Sequence, residues 1–87
     1  MYNAFPENSL AWGVALLSPA KRAILLQLRR APGHGYALAG KLRLSLGRMY
    51  NHLEELEREG LITRARVGRR VVCRLTAKGR RFLEFVE

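Results

Sequence analysis

The sequence predicts a winged helix-turn-helix domain, mainly α with a small β-hairpin wing and with extra helices at its N- and C-terminal ends. Three observations carry that prediction. Leu38, Leu42, Leu46, Met49, Leu53 and Leu56 recur every three or four residues, with a break near Ser45, which is the spacing of two short helices that each have one dry side. Gly60 then stops the helical pattern, and an alternating run follows from Leu61 to Leu75, interrupted by Gly68. The 87 residues also carry 16 Lys and Arg against 7 Asp and Glu, a formal charge of +9. One domain is expected at this length. It divides into an N-terminal extension at 1–18, a winged-helix core at 19–75 and a C-terminal helix at 76–87.

In chain order, Ser9 to Leu17 is an apolar helical candidate. Its stretch Leu10 to Leu17 is far too short to span a bilayer and no basic region precedes it, so neither a membrane segment nor a secretory signal is supported and a cytoplasmic location is expected. Ser18-Pro19 is a start signal, an N-cap followed by proline at the first helical position. Ala20, Ile24, Leu25 and Leu28 form the inward stripe of a helix running to about Arg30. Ala31-Pro32-Gly33-His34-Gly35 ends it and bends the chain into the next helix, where Tyr36 is expected in the core and His34 is expected to bond local backbone.

Ser45 stands where the second helix of the motif should begin, and its hydroxyl can accept from first-turn amides. That helix spans 45–59. Counting about 100° per residue from Met49, Leu53 and Leu56 puts Gly47, Arg48, Asn51, Glu55 and Arg58 on the far side, with Tyr50, His52 and Glu54 on the flanks. The outward N-terminal half is small, polar or basic. In a DNA major groove, Arg48 could grip a guanine edge and Asn51 an adenine edge, with Gly47 permitting close approach. Tyr50 could reach a phosphate with its hydroxyl. Glu54, Glu55, Glu57 and Glu59 would be repelled by phosphates, so the C-terminal half should tilt away.

The wing occupies 61–75. Leu61 to Val67 sets Arg64 and Arg66 against Thr63, Ala65 and Val67, the pattern of a strand with one wet face. Gly68 is free to take positive φ in the turn Val67-Gly68-Arg69-Arg70, and Val71 to Leu75 returns. Arg69 and Arg70 would stand at the tip, near a phosphate or a minor groove, and Arg64, Arg66 and Arg74 share the hairpin. Thr76 can cap a last helix containing Phe82, Leu83, Phe85 and Val86.

The charge, with a pI near 11.1, fits a domain whose partner is a polyanion. A membrane surface is the weaker match, because the arginines are spread over the domain and not along one amphipathic helix. Cys73 is the lone cysteine, and with only His34 and His52 beside it there is no zinc-ligand spacing. Its alternating position favours a buried structural thiol. The chain has no Asp, no Ser, Cys or Asp near either histidine, and no glycine-rich phosphate loop. No enzyme, metal or cofactor is expected.

Ile24 to Leu28, Gly33-His34-Gly35-Tyr36-Ala37-Leu38, Met49 to Leu53, Leu56 to Ile62 and Arg74-Leu75-Thr76-Ala77-Lys78-Gly79 together resemble the PadR-like winged-helix transcriptional regulators over residues 19 to 83. MarR-like and ArsR-like regulators share the Glu59-Gly60-Leu61-Ile62 junction. The resemblance implies a prokaryotic or viral dimeric DNA-binding regulator, usually a repressor, with the Tyr50 helix in the major groove and the Arg69 and Arg70 wing near the backbone. Where the family commonly carries Ser-Pro-Gly-Thr, this chain has Ser45-Leu46-Gly47-Arg48, so its base preference should differ. The usual C-terminal dimerisation region is absent or cut to one helix, and a small-molecule effector is not expected.

Double-stranded DNA and a second copy of the chain are thus the partners implied. Leu10, Trp12 and Leu16 with Phe82, Phe85 and Val86 could form a self-complementary interface; alternatively Trp12 and Leu16 fold back over the monomer's own core. Two further classes share these features, a nonspecific architectural nucleic-acid binder and a winged-helix protein-interaction module.

Overall fold

A computed structural model describes residues 18–86. Among them the chain forms α1 (Pro19–Arg30), β1 (Gly33–His34), α2 (Gly35–Leu42), α3 (Leu46–Arg58), β2 (Ile62–Val67), β3 (Arg70–Leu75) and α4 (Ala77–Val86). Four helices and a three-stranded antiparallel sheet of order β1-β3-β2 make a winged helix. Among the described residues no helix is long and apolar enough to cross a membrane.

α1 begins and ends where Ser18-Pro19 and Arg30 placed it. Its start rests on Pro19 and on the Arg22 N–H donating to the Ser18 carbonyl at 3.0 Å, since the Ser18 hydroxyl makes no capping bond. α2 and α3 close in the same way. Leu44 N–H donates to Ala39 O (2.9 Å) and Arg43 N–H to Gly40 O (3.3 Å); Leu61 N–H donates to Leu56 O (3.0 Å) and Gly60 N–H to Glu57 O (2.9 Å). This double closure satisfies carbonyls that a helix end leaves orphaned, and it needs one residue in the left-handed region. Gly60 supplies it at φ 80°, whereas in the first closure Arg43 does so at φ 59°.

The core joins all four helices to the sheet. Ile24, Leu25 and Leu28 meet Leu38 and Ala39, then Met49, Leu53 and Leu56, then Leu61, Ile62 and Cys73, then Phe82 and Leu83. Cys73 is a buried free thiol, and burial pushes its pKa up. Leu46 departs from the inward stripe and is 43% exposed; it is the first residue of α3, whose first turn projects beyond the core while Met49 takes up the apolar face.

The wing differs from the sequence reading in two respects. Ile62 and Arg64 lie on the inner face of β2, and Thr63, Ala65 and Val67 are the exposed side. The reversal has a physical cause. Arg64 is only 25% exposed because its stem covers the core while its guanidinium reaches Glu57 of α3 at 2.8 Å, as long cationic side chains do when one end must stay polar. β1 is the second difference: the chain bend at Gly33 and His34 adds a third strand, pairing Gly33 with Cys73 and His34 with Val72. The hairpin turn is as expected, with Gly68 at φ 65° and Val67 paired to Arg70. Because only the first central residue takes positive φ, it follows the II′ pattern that suits twisted strands.

α4 is fastened by Thr76 and Gly79. The Thr76 hydroxyl donates to Gly60 O (2.7 Å) and accepts from Gly79 N–H (2.9 Å), while Thr76 N–H donates to Leu61 O (3.0 Å). A Cβ on Gly79 would drive into the Leu61 carbonyl oxygen and stand 2.8 Å from Leu75 Cδ1. The run Leu75-Thr76-Ala77-Lys78-Gly79 is thus a joint between the end of α3 and the start of α4. Phe82, expected on a surface shared with a second chain, is 2% exposed and belongs to the core. The helix is amphipathic, and Phe85, three residues on near the helix end, is 69% exposed. Leu10, Trp12 and Leu16, and the side chain of Val86, lie outside the described residues.

Candidate nucleic-acid interface

α3 presents its first turns to solvent. Ser45 caps it, its hydroxyl accepting from Arg48 N–H at 3.2 Å, and Leu46, Gly47, Arg48, Tyr50 and Asn51 are all exposed. A Cβ added at Gly47 would meet nothing within 4 Å. Among the described residues, then, no packing demand explains a glycine there.

The further turns of α3 are tied inward. Lys21 of α1, buried except for about a tenth of its surface, is ion-paired with Glu55, and the hydrogen bond from Lys21 holds the Glu55 carboxyl below its usual pKa. Glu57 takes Arg64, and Glu54 lies 3.9 Å from Arg58. These carboxylates have partners within the chain, which lowers the charge that the C-terminal half of α3 turns outward. Burial, aided by the charges of Lys21 and Arg48 and opposed by Glu55, holds His52 below its ordinary pKa. Its Nδ1 is buried and makes no hydrogen bond among the described residues.

Two hollows flank the exposed turns. On one side Arg48, Asn51, His52 and Glu55 line a depression with Ser18 to Ala20 at the start of α1. On the other, Tyr50 shares a groove with His34, Tyr36, Arg69, Arg70 and Val71, so the wing tip and the first half of α3 stand on either side of one channel. Among the residues singled out from sequence, the structure gathers Tyr50, Arg69 and Arg70 here, and sets Arg48 with Asn51 on the opposite flank. Arg66 is exposed along β2. Arg64 is drawn out of the exposed set by Glu57.

Sequence reasoning missed Tyr36, which is 71% exposed and not in the core. The signal was present, because Tyr36 lies two residues, about 200° of helix, before the buried Leu38. Lys21 was also missed, and nothing in its spacing distinguishes it from a solvated lysine. Among the described residues no cluster of three or more His, Cys, Asp or Glu side chains is placed to hold a metal ion.

The model of the PadR-like transcriptional regulator family matches residues 24–85, from the middle of α1 through the exposed Phe85. The chain belongs to the PadR-like family. It is thus a DNA-binding transcriptional regulator rather than an enzyme. No protein of curated function matches its sequence. Solved structures similar to this PadR-like chain include one described as a possible transcriptional regulator for arsenical resistance, 25% identical with a TM-score of 0.73, the match covering 83% of this chain and 75% of that one. HlyU from Vibrio cholerae is 20% identical with a TM-score of 0.82, over 98% of this chain and 94% of its own, and shows the shared fold. A mutant of ZitR from Lactococcus lactis, solved in complex with DNA, is 25% identical with a TM-score of 0.70, over 76% of this chain but only 47% of ZitR.

Proposed function

We propose that this chain is a sequence-specific, double-stranded DNA-binding repressor that lays the first turns of α3 in the major groove and its wing along the backbone or minor groove. The observation that carries the reading is the open space at Gly47 beside exposed Arg48 and Asn51, on a helix start that projects past the core. A base edge can approach there without meeting a side chain, while Arg48 and Asn51 supply the donor patterns that discriminate guanine and adenine. Ser45 uses its oxygen as a cap and keeps its hydroxyl hydrogen for a phosphate. Arg69, Arg70 and Arg66 serve the backbone, which fixes register and carries the salt dependence. Arg64 acts indirectly, bracing β2 against α3.

The protein works as a homodimer in this reading, through Phe85 and Val86 of the last helix together with Leu10, Trp12 and Leu16. The exposed Phe85 ring supports that surface. It acts in the cytoplasm of a prokaryotic or virus-infected cell, associated with the nucleoid, and without a small-molecule effector. Selection from a random duplex pool at near-physiological salt tests the proposal. An enriched inverted repeat is the expected product, its half-site spacing reporting the dimer geometry; retention without enrichment would replace sequence-specific regulation with an architectural role.

A further inference from the structure

The groove between the wing and α3 is built from more than the two arginines of the tip. Tyr36 leaves the first turn of α2 with most of its ring in solvent. Tyr50, across from it, is 40% exposed, and its ring lies directly over Gly35. A Cβ on Gly35 would stand 2.9 Å from Tyr50 Cε1 and 3.0 Å from Cζ. Gly35 is therefore the seat on which the Tyr50 ring rests, and the residue after it carries the second phenol. His34, Arg69 and Arg70 complete the polar lining, with Val71 as the single apolar member. Every polar side chain of the lining can donate a hydrogen bond, and no carboxylate is among them. An anion is the chemistry that such a lining receives.

We propose that this groove is a phosphate seat, in which the hydroxyls of Tyr36 and Tyr50 and the guanidinium of Arg70 receive one backbone phosphate of the bound duplex. The inference rests on the DNA-binding reading and adds the place where the strand is gripped. Its position supports the backbone as the source of the anion: the seat lies between the two elements that flank a docked strand, α3 on one side and the wing tip on the other. The phenols supply hydrogen bonds without charge, and Arg70 supplies the charge. Gly35 is a positioning residue, acting through the Tyr50 ring.

The seat makes distinct demands on each side chain. Tyr36→Phe and Tyr50→Phe keep the rings and remove one donor each, so each should lower affinity for a defined duplex about five- to tenfold. Neither changes how many counterions are released, so the plot of log affinity against log salt should shift in parallel. Arg70→Ala should instead flatten its slope by about 0.9. In a second series one neutral methylphosphonate is walked along the duplex. Wild-type binding should fall at each phosphate the protein contacts, and the Tyr36→Phe/Tyr50→Phe/Arg70→Ala protein should be indifferent to one of those positions in each bound site. Gly35→Ala should reproduce the loss of Tyr50→Phe while retaining a native circular dichroism spectrum; if that variant does not fold, the two phenylalanine variants still decide.

Phenylalanine variants that bind like the wild type, or a triple variant still sensitive at every position where the wild type is, would overturn the seat and leave DNA binding intact. A wild-type protein that retains no duplex would remove the reading beneath it, and the seat with it. Inorganic phosphate alone is titrated in parallel. Saturable binding that depends on the two hydroxyls, without any methylphosphonate effect, would assign the groove to a free anion and overturn the backbone assignment.

Discussion

Replacing Thr76 by Val tests whether the joint between α3 and α4 holds the domain together. Valine keeps the branched shape and removes one hydroxyl that makes two bonds, to Gly60 O at 2.7 Å and from Gly79 N–H at 2.9 Å. Loss of a threonine N-cap costs about 1 kcal/mol. The Gly60 carbonyl, part-buried at the end of α3, loses its partner as well, which adds roughly another 1 kcal/mol. The sum, about 2 kcal/mol, corresponds to a melting temperature lower by roughly 10 °C for a domain of this size. Urea unfolding followed by far-ultraviolet circular dichroism should show a midpoint lower by about 1–2 M with an unchanged slope. Thr76→Ser, which restores the hydroxyl, should recover most of the loss. A Val variant within about 0.5 kcal/mol of the parent, the ordinary scatter of surface substitutions, would refute the joint as described.

Four further outcomes are expected. Gly79→Ala should destabilise by about 1–3 kcal/mol, because its Cβ meets the Leu61 backbone and the Leu75 side chain; chemical denaturation checks it. Arg43→Gly should stabilise by about 0.5–1 kcal/mol, since relief of the left-handed backbone at φ 59° outweighs the added freedom of the unfolded chain. His52 gives a pH dependence whose sign follows from its depressed pKa: the unfolded chain takes up the proton first as pH falls below about 6.5. Stability from this group is therefore full above that value and is lost as pH falls through the lower folded pKa, and His52→Gln should flatten that part of the stability–pH curve. Arg48→Ala and Asn51→Ala should each weaken the preferred duplex more than random duplex, whereas Arg69→Ala should weaken both alike and reduce the salt slope; a selected motif unchanged by Arg48→Ala would sink the proposed docking of α3.

The features legible in the sequence were those set by a single residue's backbone chemistry or by a run of equal spacing. Pro19 fixed the start of α1, Gly60 the stop of α3 and Gly68 the wing turn, each where its conformational freedom or constraint is used. The stripe Met49, Leu53 and Leu56 is core as read. Features that depend on a distant partner were not legible. Alternation alone puts an arginine on the wet face of β2, whereas Arg64 lies inward to meet Glu57. β1 is two residues long and exists only because β3 has a free edge to accept it. Arg43 carries a conformation usually given to glycine, so composition alone offers no sign of that closure. At the candidate interface, periodicity sets Gly47, Arg48, Tyr50 and Asn51 away from the core stripe, whereas the aromatic character of Tyr36 points to the core and its ring is in solvent.

β3 sits between β1 and β2, and that placement governs how the wing behaves as an instrument. A hairpin hanging from one end would swing, and its reach to a duplex would vary from molecule to molecule. Here the returning strand is stitched along its other edge to the residues that open α2, while Arg64 clamps the outgoing strand to α3. The jaws of a caliper are fixed in this way. The span from wing base to helix is set before any duplex arrives, so little chain entropy is lost on closing around it. A duplex whose grooves do not match that span must itself bend or twist to fit, and its stiffness then becomes part of what the protein measures.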